Sequence, residues 1–426
     1  MSAITDHPLR YKLANELHAR PFPTLDAPCR AVFIAWRIPP QQVGKQSGAE
    51  VAHLHDLLDR FGAPHPQPGA THYTGQIGRD TLKWEQHAEF VTYTVFMDKV
   101  SARPFDPADL DVFPEDWLAA SPGQRVTSAM IRVEQMPDEA QMNEQISSWF
   151  VPEAVATNYV LDRSCVVATD FRIGQSGHQH MAVFVASKTG SRRIGRVVQR
   201  LCELETYKSM SMLGYFRVKA IAGQLGGLEA DAARLVGQLR AEKGDPAGTL
   251  QSLLELSGDV EQLIAETSFR FGATSAYSSI VEQRIKVLRE ERFQGRQTFS
   301  EFMTRRYDPA MRTVVHSEQR LGSLAERIGR AAQLLRTKVE VARSAQNQAL
   351  LESMDRRADL ALRLQETVEG LSVVAISYYA VSLAGYLVYP LTGPMGISKG
   401  IMTAALTPIV VLLVWWLVRR IKAKMH

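Results

Sequence analysis

The chain has 426 residues, of which 45% are hydrophobic and 22% charged, with a formal net charge of +4. That length allows two or three domains, and the composition is that of a folded protein rather than a disordered one. The positive excess is small and much of it flanks apolar runs near the C-terminus, so nucleic acid is not an expected partner. Cys29, Cys165 and Cys202 are odd in number, far apart and without zinc spacing, which suits a reducing cytoplasm. The first residues, MSAITDHPLRYK, are polar and contain no apolar core of a secretory signal.

In 7–23, Leu9, Leu13 and Leu17 recur at helical spacing until Pro21 and Pro23. The run AVFIAWRI predicts a strand over 31–38, followed by a helix over 49–61. Strands are expected at 71–77, 81–86 and 89–96, with hairpin turns at Gly78-Arg79-Asp80 and His87-Ala88. Residues 103–124, rich in Pro and Asp, read as loop. A second pass follows: a strand at 126–133, a helix at 138–148, and a hairpin of 164–173 with 181–187. The repeated order suggests an internal duplication, although no residue-level identity supports it. The expectation for 1–187 is an α+β domain with a largely antiparallel sheet.

A helical domain is expected over 188–308. Ile194, Val197, Val198, Leu201 and Leu204 mark its first buried stripe. Gly226-Gly227 and Lys243-Gly244-Asp245-Pro246 are expected to divide it into shorter helices. After Asp308-Pro309 no proline occurs until Pro390, which predicts a long stalk helix over 309–370. Its stripe is Leu324, Ile328, Ala331, Leu335, Val339 and Ala342, packed on earlier helices or on copies of itself as a coiled coil.

Residues 371–389 and 400–418 carry no charge, and 390–399 is a turn-rich break. A bilayer core takes roughly 20 residues of helix, so 371–426 is expected to be a transmembrane hairpin with a basic tail. Trp415, Trp416, Arg419, Arg420, Lys422 and Lys424 form an interfacial anchor. Arg356, Arg357 and Arg363 precede the first span, whereas Lys399 is the one cation in the loop. Positive residues stay inside, which places both termini and the large domain in the cytoplasm of a bacterial inner membrane.

Two segments carry a specific resemblance: HPLR…NELHARPFP near the N-terminus, and MDRRADLALRLQETVEGLSVVAISYYAVSLAGYL over 354–387. Through them the whole chain resembles the bacterial membrane-anchored family named domain of unknown function 3422. The resemblance implies membrane anchoring and supplies no reaction or catalytic residues.

Several constellations invite a chemical reading. His178-x-His180 would share one face of a strand, but Gly174, Ser176 and Gly177 favour exposed turn residues. His53 and His55 point apart on a helix. Glu203-x-Glu205 and Glu290-Glu291 read as solvated or ion-paired helix faces, and Gly223 to Gly227 as a helix break. Arg192, Arg193, Arg196 and Arg200 open a helix as a basic stripe, solvated or holding an anion. No catalytic motif is visible, so neither an enzyme nor a cofactor is expected, and the metal question stays open. In the first span Ser372, Tyr379, Ser382 and Tyr386 share a hydroxyl-bearing face, with Tyr389 beyond it and Glu366 and Glu369 near its cytoplasmic end. That face lines a pore or packs against another helix.

The layout is also similar to that of CorA-type magnesium channels, which join a cytosolic α/β domain, a long helix and two C-terminal spans. The Gly-Met-Asn signature of those channels is absent, and no Asp or Glu follows Glu369. The expected function is an oligomeric CorA-like ion channel for an inorganic cation, with a cytosolic regulatory domain. The alternative is a membrane-tethered scaffold or ligand-binding protein that transports nothing. Partners are the lipid bilayer and further copies of the chain.

Overall fold

A computed structural model describes residues 6–16, 21–38, 47–238, 245–395 and 398–425. Its first half alternates strands and short helices: α1 (Arg10–Glu16), β1 (Cys29–Arg37), α2 (Ser47–Arg60), β2 (His72–Ile77), β3 (Asp80–Gln86) and β4 (Phe90–Asp98). A 3-10 turn at Pro107–Val112 leads to α3 (Glu115–Ala119), β5 (Gln124–Gln135), α4 (Glu139–Trp149), β6 (Ala156–Val160), β7 (Cys165–Thr169) and β8 (Gln179–Val185). Long helices follow: α5 (Ser191–Gln238) and α6 (Pro246–Leu288). Next come β9 (Glu291–Arg292), α7 (Phe299–Arg306), α8 (Asp308–Met395) and α9 (Lys399–Met425). The fold is mixed α+β, with the sheet N-terminal and the long helices after it. Two compact units result: Met1–Glu242 with Gln251–Ala331, and Lys243–Leu250 with Ala332–His426.

The first unit is built on a nine-stranded sheet of order β2-β3-β4-β1-β5-β8-β7-β6-β9. β1 lies inside it and is covered on both faces, which explains its nearly unbroken apolar run. Ala31, Phe33 and Ala35 face α5, the end of α6, α7 and the start of α8 through one core. Val32, Ile34 and Trp36 face α2 and the Phe113–Trp117 region on the opposite side. Farther along that side, α4 packs Met142 and Ile146 on Met130, Val166 and Phe184. Leu54 and Phe184 are fully buried, each contributing about 2 kcal/mol by burial.

Outward from β1 the strands run β4, β3, β2, and outward from β5 they run β8, β7, β6, so the two halves mirror one another in order. Their directions differ. β1 meets β4 antiparallel, whereas β5 meets β8 parallel. A rotated copy of one half cannot produce both pairings, so the repeated element order is not a simple duplication.

Several expectations require correction. α5 continues through Gly223, Gly226 and Gly227 without a break. Leu225, Leu228, Ala232 and Leu235 remain buried along one side, and that packing outweighs about 1 kcal/mol of helix propensity per glycine. Of the break predicted at 243–246, positions 243 and 244 lie outside the described residues, while Pro246 does open a separate helix, α6. The 103–124 segment is not all loop, because the 3-10 turn and α3 bring Phe113 and Trp117 into the core. Short β6 and β9 have no counterpart in the strands predicted from sequence, whereas α7 falls within the helical region expected over 188–308. The helix α8 runs past Pro390 to Met395, leaving a shorter connection to α9 than the turn-rich composition suggests.

Two glycines allow close approach. A Cβ on Gly195 would lie 1.8 Å from the Pro23 carbonyl oxygen, and one on Gly214 would lie 2.2 Å from Thr274 Oγ1. Both positions therefore need a bare backbone face on α5.

Candidate functional site

Several buried ionisable groups of the first unit lie in a seam between the sheet and helices α5 and α6. Glu89, just before β4, is buried and accepts Arg270 at both carboxylate oxygens. The Tyr277 hydroxyl donates to the same Oε1 at 3.0 Å. Arg37 Nε lies 3.7 Å from Glu89 Oε2, an ion-pair distance too long for a hydrogen bond. Burial first and Arg270 second lower the Arg37 pKa, while Glu89 opposes them.

The seam continues across the sheet. Lys83 Nζ donates 2.7 Å to Gln199 Oε1 and lies 3.2 Å from Glu85. Gln199 donates to Glu203, which also pairs with Arg284. Glu205 is fully buried, which removes the solvated alternative and leaves the ion-paired one, with Lys208 beside it. Its Oε1 accepts Thr127 at 2.8 Å, Gln179 at 2.6 Å and Ser209 at 2.9 Å, and Lys208 lies 2.6 Å from Oε2. A cavity of about 20 Å³ beside Lys83, Gln199 and Cys202 has room for one water. Such a seam orders the helices on the sheet.

The histidines are structural in their contacts. His178 is buried with Nδ1 2.8 Å from Ser128 Oγ, and His180 stacks on Phe105 at 4.5 Å. They are therefore not exposed turn residues. β8 begins at Gln179, so both rings enter the packed face. Burial, then Arg125 and His180, pull the His178 pKa down to about 4. His53 and His55 do point apart: His53 stacks on Trp117 and His55 on His65. Among the described residues no three His, Cys, Asp or Glu side chains are grouped as a metal would require. All three cysteines are buried thiols, and burial pushes Cys29 up to about 12 and Cys165 to about 11.

Glu290 and Glu291 are not on a helix face. Glu290 follows α6, and Glu291 forms part of β9. Glu290 Oε2 accepts Ser300 N at 3.0 Å near the start of α7, while Oε1 is buried without a partner. Burial raises this carboxyl to about 7 against the Ser300 and Thr298 hydrogen bonds. Neither the orphaned oxygen nor the raised pKa has a local sequence signal. On α5, Arg192 and Arg193 are exposed, Arg196 lies over the Phe22 ring at 5.6 Å, and Arg200 donates to the Val287 carbonyl at 3.1 Å.

In the second unit, Tyr379 and Tyr386 are 67% and 77% exposed, and Ser372 is exposed too. Ser382 is half-buried and donates 3.0 Å to the Tyr378 carbonyl of its own helix. A cavity of about 480 Å³ between α8 and α9 is lined by Tyr378, Ser382, Gly385 and Tyr386 opposite Met402 and Thr403. The hydroxyl face thus overlaps this groove at Ser382 and Tyr386, while Ser372 and Tyr379 lie outside it. Ser377, which the stripe omitted, is buried with its hydroxyl unpartnered. On α9, Arg419 lies 5.0 Å from the Trp415 ring and Arg420 5.0 Å from that of Trp416. The side chains of Tyr389, Lys422 and Lys424 lie outside the described residues.

A family model described as a protein of unknown function, DUF3422, matches residues 5–425. The chain belongs to this family. No curated protein matches it. In this DUF3422 chain the end of the N-terminal hallmark has a visible structural task. The Pro23 carbonyl rests on Gly195, Leu25 N donates to Ser191 O at 3.2 Å, and Ser191 Oγ donates to Asp26 at 2.6 Å. The segment clasps the first turns of α5. His18, Ala19 and Arg20 of the same hallmark lie outside the described residues.

Proposed function

We propose that this DUF3422 protein is a bacterial inner-membrane protein whose α8 and α9 ends form a transmembrane hairpin, with the sheet-bearing unit in the cytoplasm. The observation that carries this reading is exposure. The most apolar window of each helix is only 6% buried, whereas a core helix of a soluble protein would be mostly covered. Hydrocarbon is the medium that suits such a surface. The distribution of Arg and Lys argues for cytoplasmic termini. A cysteine placed at Ser398 should react with an impermeant thiol reagent from the periplasmic side. Reaction only after lysis would reverse the assignment.

The activity proposed for this assembly is that of an oligomeric cation channel, because two spans cannot enclose a path alone. Tyr379 and Tyr386 leave their rings largely uncovered, and Tyr379 lies outside the groove shared with α9, where a central axis formed by further copies would meet it. Hydroxyls there would replace part of an ion's hydration shell without fixed charge, giving weak selectivity. The layout supports a CorA-like arrangement only in outline. In reconstituted vesicles, Ser382→Leu should lower cation flux while Ala380→Leu does less. Flux no greater than in protein-free vesicles, for several mono- and divalent cations, would defeat the channel reading.

A tether that transports nothing is favoured by one observation. The Ser382 hydroxyl already donates to Tyr378 O, so its proton needs no pore water. The same flux measurement separates the two readings.

A further inference from the structure

Between the two ends of α8 lies a stretch with an unusual division of its surface. Leu350, Met354, Leu364, Val368 and Leu371 are between 54% and 67% exposed. These are not scattered. With Met354 at position a of a seven-residue repeat, Ala361, Val368 and Ala375 also fall at a, and Leu350, Leu364 and Leu371 fall at d. Residues 347–375 contain eight charged side chains, and seven of them fall at b, c or f, on the opposite side. The eighth, Arg357, is at d. A helix surrounded only by water has no reason to sort its charges in this way.

Coverage from within the chain is limited by length. The 27 residues of α9 return along α8 from its far end and reach back only about as far as the first uncharged residues. The face from Leu350 to Leu364 lies beyond that reach.

We propose that residues 347–375 of α8 pack against the same residues of further copies of this chain, parallel and in register. The parallel sense rests on the membrane reading above. Copies that enter one bilayer through the same helix share direction and height, so each apolar layer meets its own counterpart. Charge also fits a self-partner. In a parallel, in-register pair position g faces e of the neighbour. Here Ser353 meets Ala358, Leu360 meets Gln365, and Thr367 meets Ser372. No like charges oppose one another across these flanks, and no charged pair selects a different partner. Arg357 meets its own counterpart at the one d layer that carries charge, and its side chain is long enough to carry the guanidinium out of the seam into water.

The test uses the full chain in native membranes, with single added cysteines and a copper–phenanthroline oxidant. The three native cysteines are buried and contribute little background. Leu364→Cys should form disulfide-linked dimers about tenfold faster than Glu366→Cys, because only the d position brings Cα atoms within bridging distance. Co-expressed Leu350→Cys and Leu371→Cys copies should not cross-link to each other. Leu364→Asp should lower the particle mass in mild detergent. Equal rates at 364 and 366, rapid linkage of 350 to 371, or a monomeric wild-type mass would overturn the proposal. Alkaline carbonate extraction of the same membranes reads anchoring separately. Release of the protein would defeat the membrane reading, and the cross-linking rates would still decide the helix face.

Discussion

Glu89 and Arg270 are 181 residues apart and form a two-bonded ion pair in which Arg270 Nη1 donates to Glu89 Oε1 at 3.1 Å and Nη2 donates to Oε2. Both are buried, at 1% and 8% exposure. The pair ties the turn between β3 and β4 to α6. Its value lies in the penalty for breaking it, since a lone buried charge costs far more than a matched pair returns.

Arg270→Met should therefore destabilise the protein by about 3–5 kcal/mol, leaving Glu89 with only Tyr277 and the more distant Arg37. Combining it with Glu89→Leu should lose less than the two single changes added together. Thermal melting of the detergent-solubilised chain measures both. A wild-type midpoint for Arg270→Met would show that the pair does not hold α6.

Gly195→Ala should destabilise, although alanine favours a free helix by about 1 kcal/mol over glycine. The added methyl would meet the Pro23 carbonyl at 1.8 Å and push the clasping segment away. Faster proteolysis near Phe22 together with a lower melting midpoint is expected. Greater stability would mean that the segment yields without cost.

Glu290→Gln should stabilise above neutral pH and have little effect at pH below the ordinary carboxylate value. Burial raises the folded carboxyl from 4.5 to about 7, so the native state binds the proton more tightly than the unfolded state. Stability therefore falls as pH rises from about 4.5 to 7, and the full penalty persists above that window. The amide removes a charge whose Oε1 has no partner, a gain of up to roughly 3 kcal/mol at high pH. Identical melting curves for both proteins at pH 8 would contradict this.

His178 acts in the opposite direction. Its folded pKa of about 4 lies below the ordinary 6.5, so the unfolded state takes up the proton first. The stability it confers is present above pH 6.5 and is lost as pH falls toward 4. His178→Gln should flatten this part of the profile relative to wild type. Parallel profiles across that interval would remove His178 as the cause.

Element types followed well from local pattern. The alternation in 89–96 and the run in 31–38 appear as β4 and β1, because period and turn residues act over a few positions. The basic stripe of α5 was legible as a row, but not the contacts of Arg196 with Phe22 and Arg200 with Val287. Glu205 shows the limit clearly. Its neighbours in sequence gave it a helix position and two local partners, Lys208 and Ser209, whereas Thr127 and Gln179 reach its buried carboxylate from two strands far away in sequence.

From its residues alone, this chain declares two uncharged helical runs, an uninterrupted helix leading into the first of them, and an α+β region ahead. Those features depend on composition and period, which are local. Tertiary structure decided that β5 and β8 run parallel, that α5 passes through its glycines, and that His178 and Glu205 are buried. Each of these depends on surfaces brought together from distant parts of the chain. Packing free energy there exceeds the small preferences of individual residues, so no short window of sequence contains the answer.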